Sequence, residues 1–357
     1  MCSEVVQIWN YTALLGGRMK AIVFQEGSTW GLDEVPQPEP GPGETLLRVL
    51  LTGVCGTDEH LLHGGFIAKF PLIPGHEMVC EVLRHGPSTQ GMALGTRVVV
   101  DNTIHCGECG PCRDGRPLFC EQFVSLGCNA PGAFAEYVVV RTSKLYDIGS
   151  LPLDVAVLTE PLSCAMHGVD VLGLSPGSNV LVFGAGPTGL LLSQLLKMAG
   201  AASVTVAAPT QSKLDLALLH GANNIVKLER NDLAEAIDSL REIAPEGFDA
   251  VIEATGKVTV LEAAVQLART GGTILVYGLA GENDVAEIKP YEIFSRELTI
   301  KGSFAQAFCI GRALFTLQSG SINTEGIITQ TVGLNGFATA LKNLHDPEHI
   351  KTVVGQL

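Results

Sequence analysis

The chain has 357 residues, enough for about two domains that could each bury a core of its own. Apolar residues make up 46% of it and charged residues 17%, the balance of a globular α/β protein rather than a disordered or fibrous one. A net charge of −14 with no lysine- or arginine-rich run argues against nucleic acid and anionic membrane as partners, so an anionic cofactor must be held by local groups against the overall field.

Residues 1–18 have neither a basic start nor a long apolar core, and read as a leader of unassigned role rather than a secretory signal. Without secretory features, the ten cysteines read as thiols or metal ligands, and the chain as cytoplasmic. No apolar run is expected to reach the roughly 18 residues of a membrane-spanning helix. From Met19 onward, short apolar runs alternate with turn residues. Lys20 to Phe24, Glu44 to Leu51, Thr96 to Asp101 and Phe134 to Val140 are predicted strands, and Pro36, Pro38, Pro40 and Pro42 mark an extended loop. This rhythm predicts an antiparallel, barrel-like β domain over 19–168.

Two sets of residues in that stretch suit a metal. The first is dispersed: Cys55 in Gly53-Val54-Cys55-Gly56-Thr57-Asp58-Glu59-His60, then Gly75-His76-Glu77, and Glu160-Pro161-Leu162. A thiolate, an imidazole and carboxylates, with one position left to water or substrate, are the ligand types of a catalytic zinc. Taken singly, His76 reads as a packed or solvated histidine; the set together carries the metal reading. The second is compact: Cys106, Cys109, Cys112 and Cys120 fall within fifteen residues threaded by Gly107, Gly110 and Gly115. Four thiolates so spaced can wrap one tetrahedral zinc and leave no open position, which makes the site a structural staple. Cys2, Cys128, Cys164 and Cys309 carry no motif and read as packing residues. His63 stands between a solvated loop residue and a substrate contact.

From about residue 170 the pattern changes. Val180 to Phe183, Ser203 to Ala207, Ala250 to Glu253 and Thr273 to Gly278 are predicted strands, with helices at Leu190 to Met198 and Ser212 to His220. Apolar strands alternating with helices predict a doubly wound parallel sheet over 169–302, inserted into the first domain, with 303–357 returning to it. The acidic run around Glu229 to Glu242 reads as an exposed helix face.

Gly184-Ala185-Gly186-Pro187-Thr188-Gly189 lies between a predicted strand and a helix, where a G-x-G-x-x-G run signals dinucleotide binding. Gly184 permits the turn, Gly186 the approach of a pyrophosphate, and Gly189 close packing of helix on strand. NAD sites place a carboxylate roughly 20 residues further on, at the end of the next strand. Here that place reads Ala207-Ala208-Pro209-Thr210, with no carboxylate to repel a 2′-phosphate. Thr210, Ser212 and Lys213 are placed to bind one, which favours NADP over NAD.

With these motifs in this order, the chain resembles the zinc-containing medium-chain dehydrogenase/reductase family from about Lys20 to the C-terminus. Glu160-Pro161-Leu162-Ser163 is similar to its polyol dehydrogenase branch. Within that branch, Cys-Gly-Thr-Asp-x-His followed by His63-Gly64-Gly65-Phe66 is similar to fungal D-arabinitol dehydrogenases. The resemblance implies a GroES-like β-rich catalytic domain, a Rossmann domain, and a homo-oligomer, either tetramer or dimer. It implies zinc ligation by Cys55, His76 and Glu77, with Glu160 as ligand or water partner, and a proton relay through Thr57 and His60. The implied reaction is hydride transfer between a sugar alcohol, a pentitol such as D-arabinitol, and NAD(P). Two departures stand out. Cys80 replaces the glycine of Gly-His-Glu-x-x-Gly, and Ser303-Phe304-Ala305-Gln306 lacks an arginine common in sorbitol dehydrogenases. Competing readings are an NADPH-dependent aldehyde or ketone reductase, a general alcohol dehydrogenase, and a non-catalytic nucleotide-binding protein. The last should have lost ligand or relay residues, which this chain retains.

Overall fold

The computed structural model describes residues 17–229 and 232–355; almost all of the expected leader lies outside the described residues. The chain groups into two compact units, one of Met1–Glu160, Gln330–His345 and Thr352–Leu357, the other of Pro161–Thr329 and Asp346–Lys351.

The first unit opens with β1 (Arg18–Gln25), β2 (Thr29–Pro36), β3 (Glu44–Gly53), α1 (Gly56–Leu62) and β4 (Glu77–His85). It continues through β5 (Arg97–Val100), β6 (Thr103–Ile104), α2 (Gly110–Arg113), β7 (Val124–Ser125), β8 (Tyr137–Arg141), β9 (Leu145–Asp147) and α3 (Leu153–Ala156). Helix α4 (Thr159–Leu172) leads into β10 (Asn179–Phe183), α5 (Pro187–Met198), β11 (Ser203–Ala208), α6 (Gln211–Leu219) and β12 (Asn224–Lys227). Then come α7 (Ala234–Ile243), β13 (Phe248–Glu253), α8 (Val258–Leu267), β14 (Ala268–Val276), α9 (Pro290–Ser295), β15 (Thr299–Gly302) and α10 (Ile310–Gln318). The chain ends with β16 (Ile328–Val332), α11 (Phe337–Asn343) and β17 (Lys351–Gly355).

The main sheet of the first unit runs in the order β16-β17-β3-β4-β5-β9, with β8 also paired to β3. Strand β3 is its spine, antiparallel to β4, β8 and β17. Leu46, Leu47, Val49 and Leu51 are all buried, because neighbouring strands and loops cover both faces. A second core gathers Ile22, Phe24, Leu61, Leu72, Phe134, Phe337 and Val354. Phe337 is its hub: its ring centroid lies 4.9 Å from that of Phe134, 5.1 Å from Trp30 and 6.1 Å from Phe24. These tilted or edge-on contacts suit the ring quadrupoles. The departure at Cys80 is harmless here. It lies in mid-strand opposite Val49, fully buried, where the backbone asks nothing of glycine.

The second unit contains a six-stranded parallel sheet in the order β12-β11-β10-β13-β14-β15. Val180, Leu181 and Val182 of its central strand are all 0% exposed, as expected for strands covered on both faces. Strand order reverses at β10, which has β11 on one side and β13 on the other; ligands of such sheets bind beyond the carboxyl ends at that switch point. The doubly wound sheet expected from the sequence is present. In α7, Ala236 and Leu240 are buried while Glu235, Asp238 and Glu242 are exposed, in line with the acidic-face reading.

The units divide at residues 160 and 329, whereas the sequence pattern suggested 168 and 302. Long-range polar contacts run through the second unit, and two of them tie in the segment after residue 302. Lys301 Nζ donates to the carbonyls of Val171 and Leu172 at 2.9 and 3.0 Å, closing the end of α4. Arg312 of α10 pairs with Asp170 of α4, and His220 bonds the Glu325 carbonyl. The stretch Leu153–Leu172 is long and apolar enough to pass as a membrane span, contrary to the sequence expectation; 67% of its apolar window is buried inside the protein, as in a core helix.

Phe337→Ala should remove the hub of the first unit's aromatic core and cost about 3–5 kcal/mol. A drop in the denaturant midpoint, followed by tryptophan fluorescence, checks this; an unchanged midpoint would show that the return segment does not support that core.

Candidate functional site

The sequence separates Cys55 from His76-Glu77, and the β3–β4 register reunites them. The ladder ends with Gly53 opposite Glu77, so the exit of β3 lies beside the entry of β4. Cys55 follows β3 as the N-cap of α1, and His76 immediately precedes β4. Ligand atoms of Cys55, His76 and Glu77 lie within 4.8 Å of one another. His76 and Glu77 are 4% and 1% exposed, and Cys55 is half-buried. Gly75 makes the approach possible: it has φ +96°, and a Cβ there would lie 2.7 Å from the Phe134 backbone nitrogen.

Asp58 is the residue that motif reading passed over. It is 0% exposed, accepts the Cys55 N–H on Oδ2 at 2.9 Å, and brings Oδ1 to 3.5 Å from His76 Nδ1. One buried carboxylate thus orients both the cysteine loop and the imidazole, the usual task of a group behind a metal ligand. Burial alone pushes the His76 pKa down, but Cys128 and Asp58, by charge and hydrogen bonding, raise it well above its ordinary value. Cys128, read from sequence as mere packing, therefore touches the site. Its only sequence signal was burial-prone chemistry, which does not point to a partner.

Thr57 and His60 are three apart on α1, on one face, and both are half-buried. The Cys55 thiol donates to Thr57 Oγ1 at 3.6 Å. Glu160 sits in the first turn of α4, where the helix dipole favours a carboxylate, but it is not in the group that converges within 4.8 Å. His63 bonds Ser28 Oγ at 3.1 Å and is exposed. A thiol, an imidazole and a carboxylate converging in a nearly buried place form a donor set that fits a divalent, borderline-soft cation such as zinc.

The ligand atoms of Cys106, Cys109, Cys112 and Cys120 also lie within 4.8 Å of one another. The Cys120 and Cys106 sulfurs are 3.6 Å apart, in contact but unbonded. Backbone amides aim at the sulfurs: Glu108 N and Cys109 N at Cys106 Sγ, Cys106 N and Gln122 N at Cys120 Sγ. The Glu108 and Cys109 amides bring the Cys106 thiol down to about 6, whereas desolvation drives Cys112 up to about 12. Four soft donors already gathered, with amides to stabilise thiolates, fit a closed tetrahedral zinc site.

In the second unit each glycine of the nucleotide loop has a distinct role. Gly184 has φ +112°, beyond the reach of most side chains, and a Cβ on Gly189 would lie 2.0 Å from Gly184 O. Gly186 caps α5, with Pro187 at its first position, and a Cβ there would meet open space. A tight turn, close helix packing and an open cradle at a helix N-terminus fit a dinucleotide pyrophosphate. Thr188 follows in the first turn. Ala208 ends β11 at 2% exposure, and Thr210 is the N-cap of α6, with Lys213 half-buried in its first turn. Ser212 departs from expectation: its hydroxyl donates to Glu348 Oε2 at 2.8 Å. Sequence distance hid this carboxylate.

Comparison with known proteins agrees with both units. Residues 41–150 match the alcohol dehydrogenase GroES-like domain, and residues 187–314 match the zinc-binding dehydrogenase family. D-arabinitol dehydrogenase 1 of Uromyces fabae is 40% identical over 344 residues, covering 96% of this chain and 99% of that one. D-altritol 5-dehydrogenase of Agrobacterium fabrum is 38% identical over 306 residues, covering 84% and 88%. A solved structure described as a zinc-binding dehydrogenase from Sinorhizobium meliloti, bound to NADP, superposes with a TM-score of 0.89 at 33% identity, covering 95% of this chain and 100% of that one. The chain belongs to the zinc-dependent medium-chain alcohol dehydrogenase family.

Proposed function

We propose that the protein oxidises a sugar alcohol, a pentitol such as D-arabinitol, to a ketose, with NADP preferred over NAD. The observation that carries this reading is the convergence of Cys55, His76 and Glu77 beside Thr57 and His60 in a chain 40% identical to a D-arabinitol dehydrogenase. The NADP preference rests on Ala208 standing where NAD sites place a carboxylate, with Thr210 and Lys213 nearby.

In this mechanism Cys55, His76 and Glu77 would hold the catalytic zinc, with Glu160 as a further ligand or a water partner. A zinc ion held there would supply Lewis acidity, easing loss of the substrate hydroxyl proton near neutral pH. Asp58 keeps the Cys55 loop and the His76 ring in place for that task. The Thr57 hydroxyl accepts the substrate proton as it releases its own, and His60, reached through the cofactor ribose, passes that proton to solvent. Gly184, Gly186 and Gly189 shape the loop that seats the pyrophosphate, and the nicotinamide supplies the hydride acceptor. Cys106, Cys109, Cys112 and Cys120 would hold a second zinc that staples their lobe.

The test follows nicotinamide absorbance with D-arabinitol, xylitol, ribitol and sorbitol, each with NAD and NADP, beside a chelator-treated sample. Chelator-sensitive oxidation of a pentitol supports the reading; zinc-replete protein that binds cofactor yet oxidises no polyol overturns it. Cys55→Ser and His76→Ala should each abolish turnover while nucleotide binding, read by NADPH fluorescence, persists. Asp58→Asn should cost about 10–100-fold in activity or zinc affinity, measured by kinetics and metal competition. Cys109→Ser should lower zinc content from two to one per chain and reduce thermal stability; two zinc ions retained would remove the four cysteines from metal binding.

A further inference from the structure

The sequence offers Ser212, with Thr210 and Lys213, to a 2′-phosphate, but in the structure its hydroxyl donates to a carboxylate 136 residues away. Glu348 does not reach Ser212 by accident of a loose tail. Its backbone N–H bonds Asp346 Oδ1 at 2.9 Å, which fixes the turn. Just beyond, Thr329 Oγ1 accepts the Ile350 N–H at 3.2 Å and bonds the Lys351 carbonyl at 3.2 Å, tying the segment to its neighbour. Ser212 is the second residue of α6, whose N-cap is Thr210, and Lys213 follows it. Lys227 lies opposite Ala208 in the β11–β12 register, so two cations and the carboxylates Glu348 and Asp346 belong to elements around this strand end.

Resting on the nucleotide-site reading above, we infer that Glu348 is a specificity-determining residue for the dinucleotide, weighing against the 2′-phosphate from the C-terminal return rather than from β11. Its effect has two parts. It engages a hydroxyl that would otherwise donate to a phosphate oxygen, and it adds a negative charge beside that phosphate. Neither part penalises a ribose 2′-hydroxyl, which can donate to a carboxylate. The missing carboxylate of β11 is thus partly replaced from elsewhere in the fold. The preference for NADP is tempered by Glu348 and not abolished by it, because the carboxylate that NAD sites place at the end of β11 is still missing.

The test titrates the full-length protein with NADPH and NADH by nucleotide fluorescence and reads the ratio of the two dissociation constants. Glu348→Gln should shift that ratio toward NADPH by about fivefold at low salt, the size expected for one partly screened like charge. The shift should shrink as ionic strength rises. An unchanged ratio overturns the inference, including the case in which both affinities fall together as the turn loosens. Lys213→Ala separates this failure from that of the site itself. If it weakens NADPH more than NADH while Glu348→Gln leaves the ratio unchanged, the phosphate lies at α6 and Glu348 has no part in reading it. If neither variant moves the ratio, the placement of the phosphate fails, and the inference with it.

Discussion

The antiparallel register in which Gly53 faces Glu77 carries Cys55 and His76 to one place, and the chemistry of the first unit depends on it. A slip of one residue would turn every side chain of β4 to the other face and separate the donors. The register is protected from several directions. β17 pairs with the far side of β3, and Val54 N bonds Thr352 O at 3.0 Å just before the cysteine. Gly75 fits against Phe134 where no other residue would, and Asp58 spans the two segments from below. The donors are presented on rigid neighbours and need no ordering at the moment of use.

Overall charge works against this protein's cofactor, and the second unit answers with neutral groups. The glycine loop presents backbone amides at the start of α5 and an open cradle at Gly186, a place where a pyrophosphate would meet dipoles. Short-range donors suffice because an ionic field of −14 is screened within about 10 Å at ordinary salt.

What was legible in the sequence is what the chain encodes locally. The glycine loop, the four-cysteine lobe and the apolar strands of the parallel sheet each lie within a short window with a fixed spacing; Gly186 caps α5, the four sulfurs converge and β10 is buried. Paired segments far apart were partly legible: Cys55 and His76-Glu77 carry motifs, so their meeting was expected, while Asp58 lay inside a quoted motif without an assigned part. Contacts made by residues without a motif were not legible. Cys128 against His76, Glu348 against Ser212 and Arg312 against Asp170 arise from tertiary placement alone. The last of these, with His220 on the Glu325 carbonyl, ties the segment after residue 302 into the second unit.

The aromatic core around Phe337 also bears on how the protein is made. Synthesis proceeds from the N-terminus, and the first unit is begun first, yet Phe337, Ala340 and Val354 of its core emerge last. The second unit, nearly all within Pro161–Thr329, has most of its sequence available earlier. The ribosome therefore releases a chain whose later-begun half can be closed while its earlier half still lacks its central ring. During that interval Phe24 and Phe134 are without their final partner, and the nascent first unit is the half in need of shelter from aggregation.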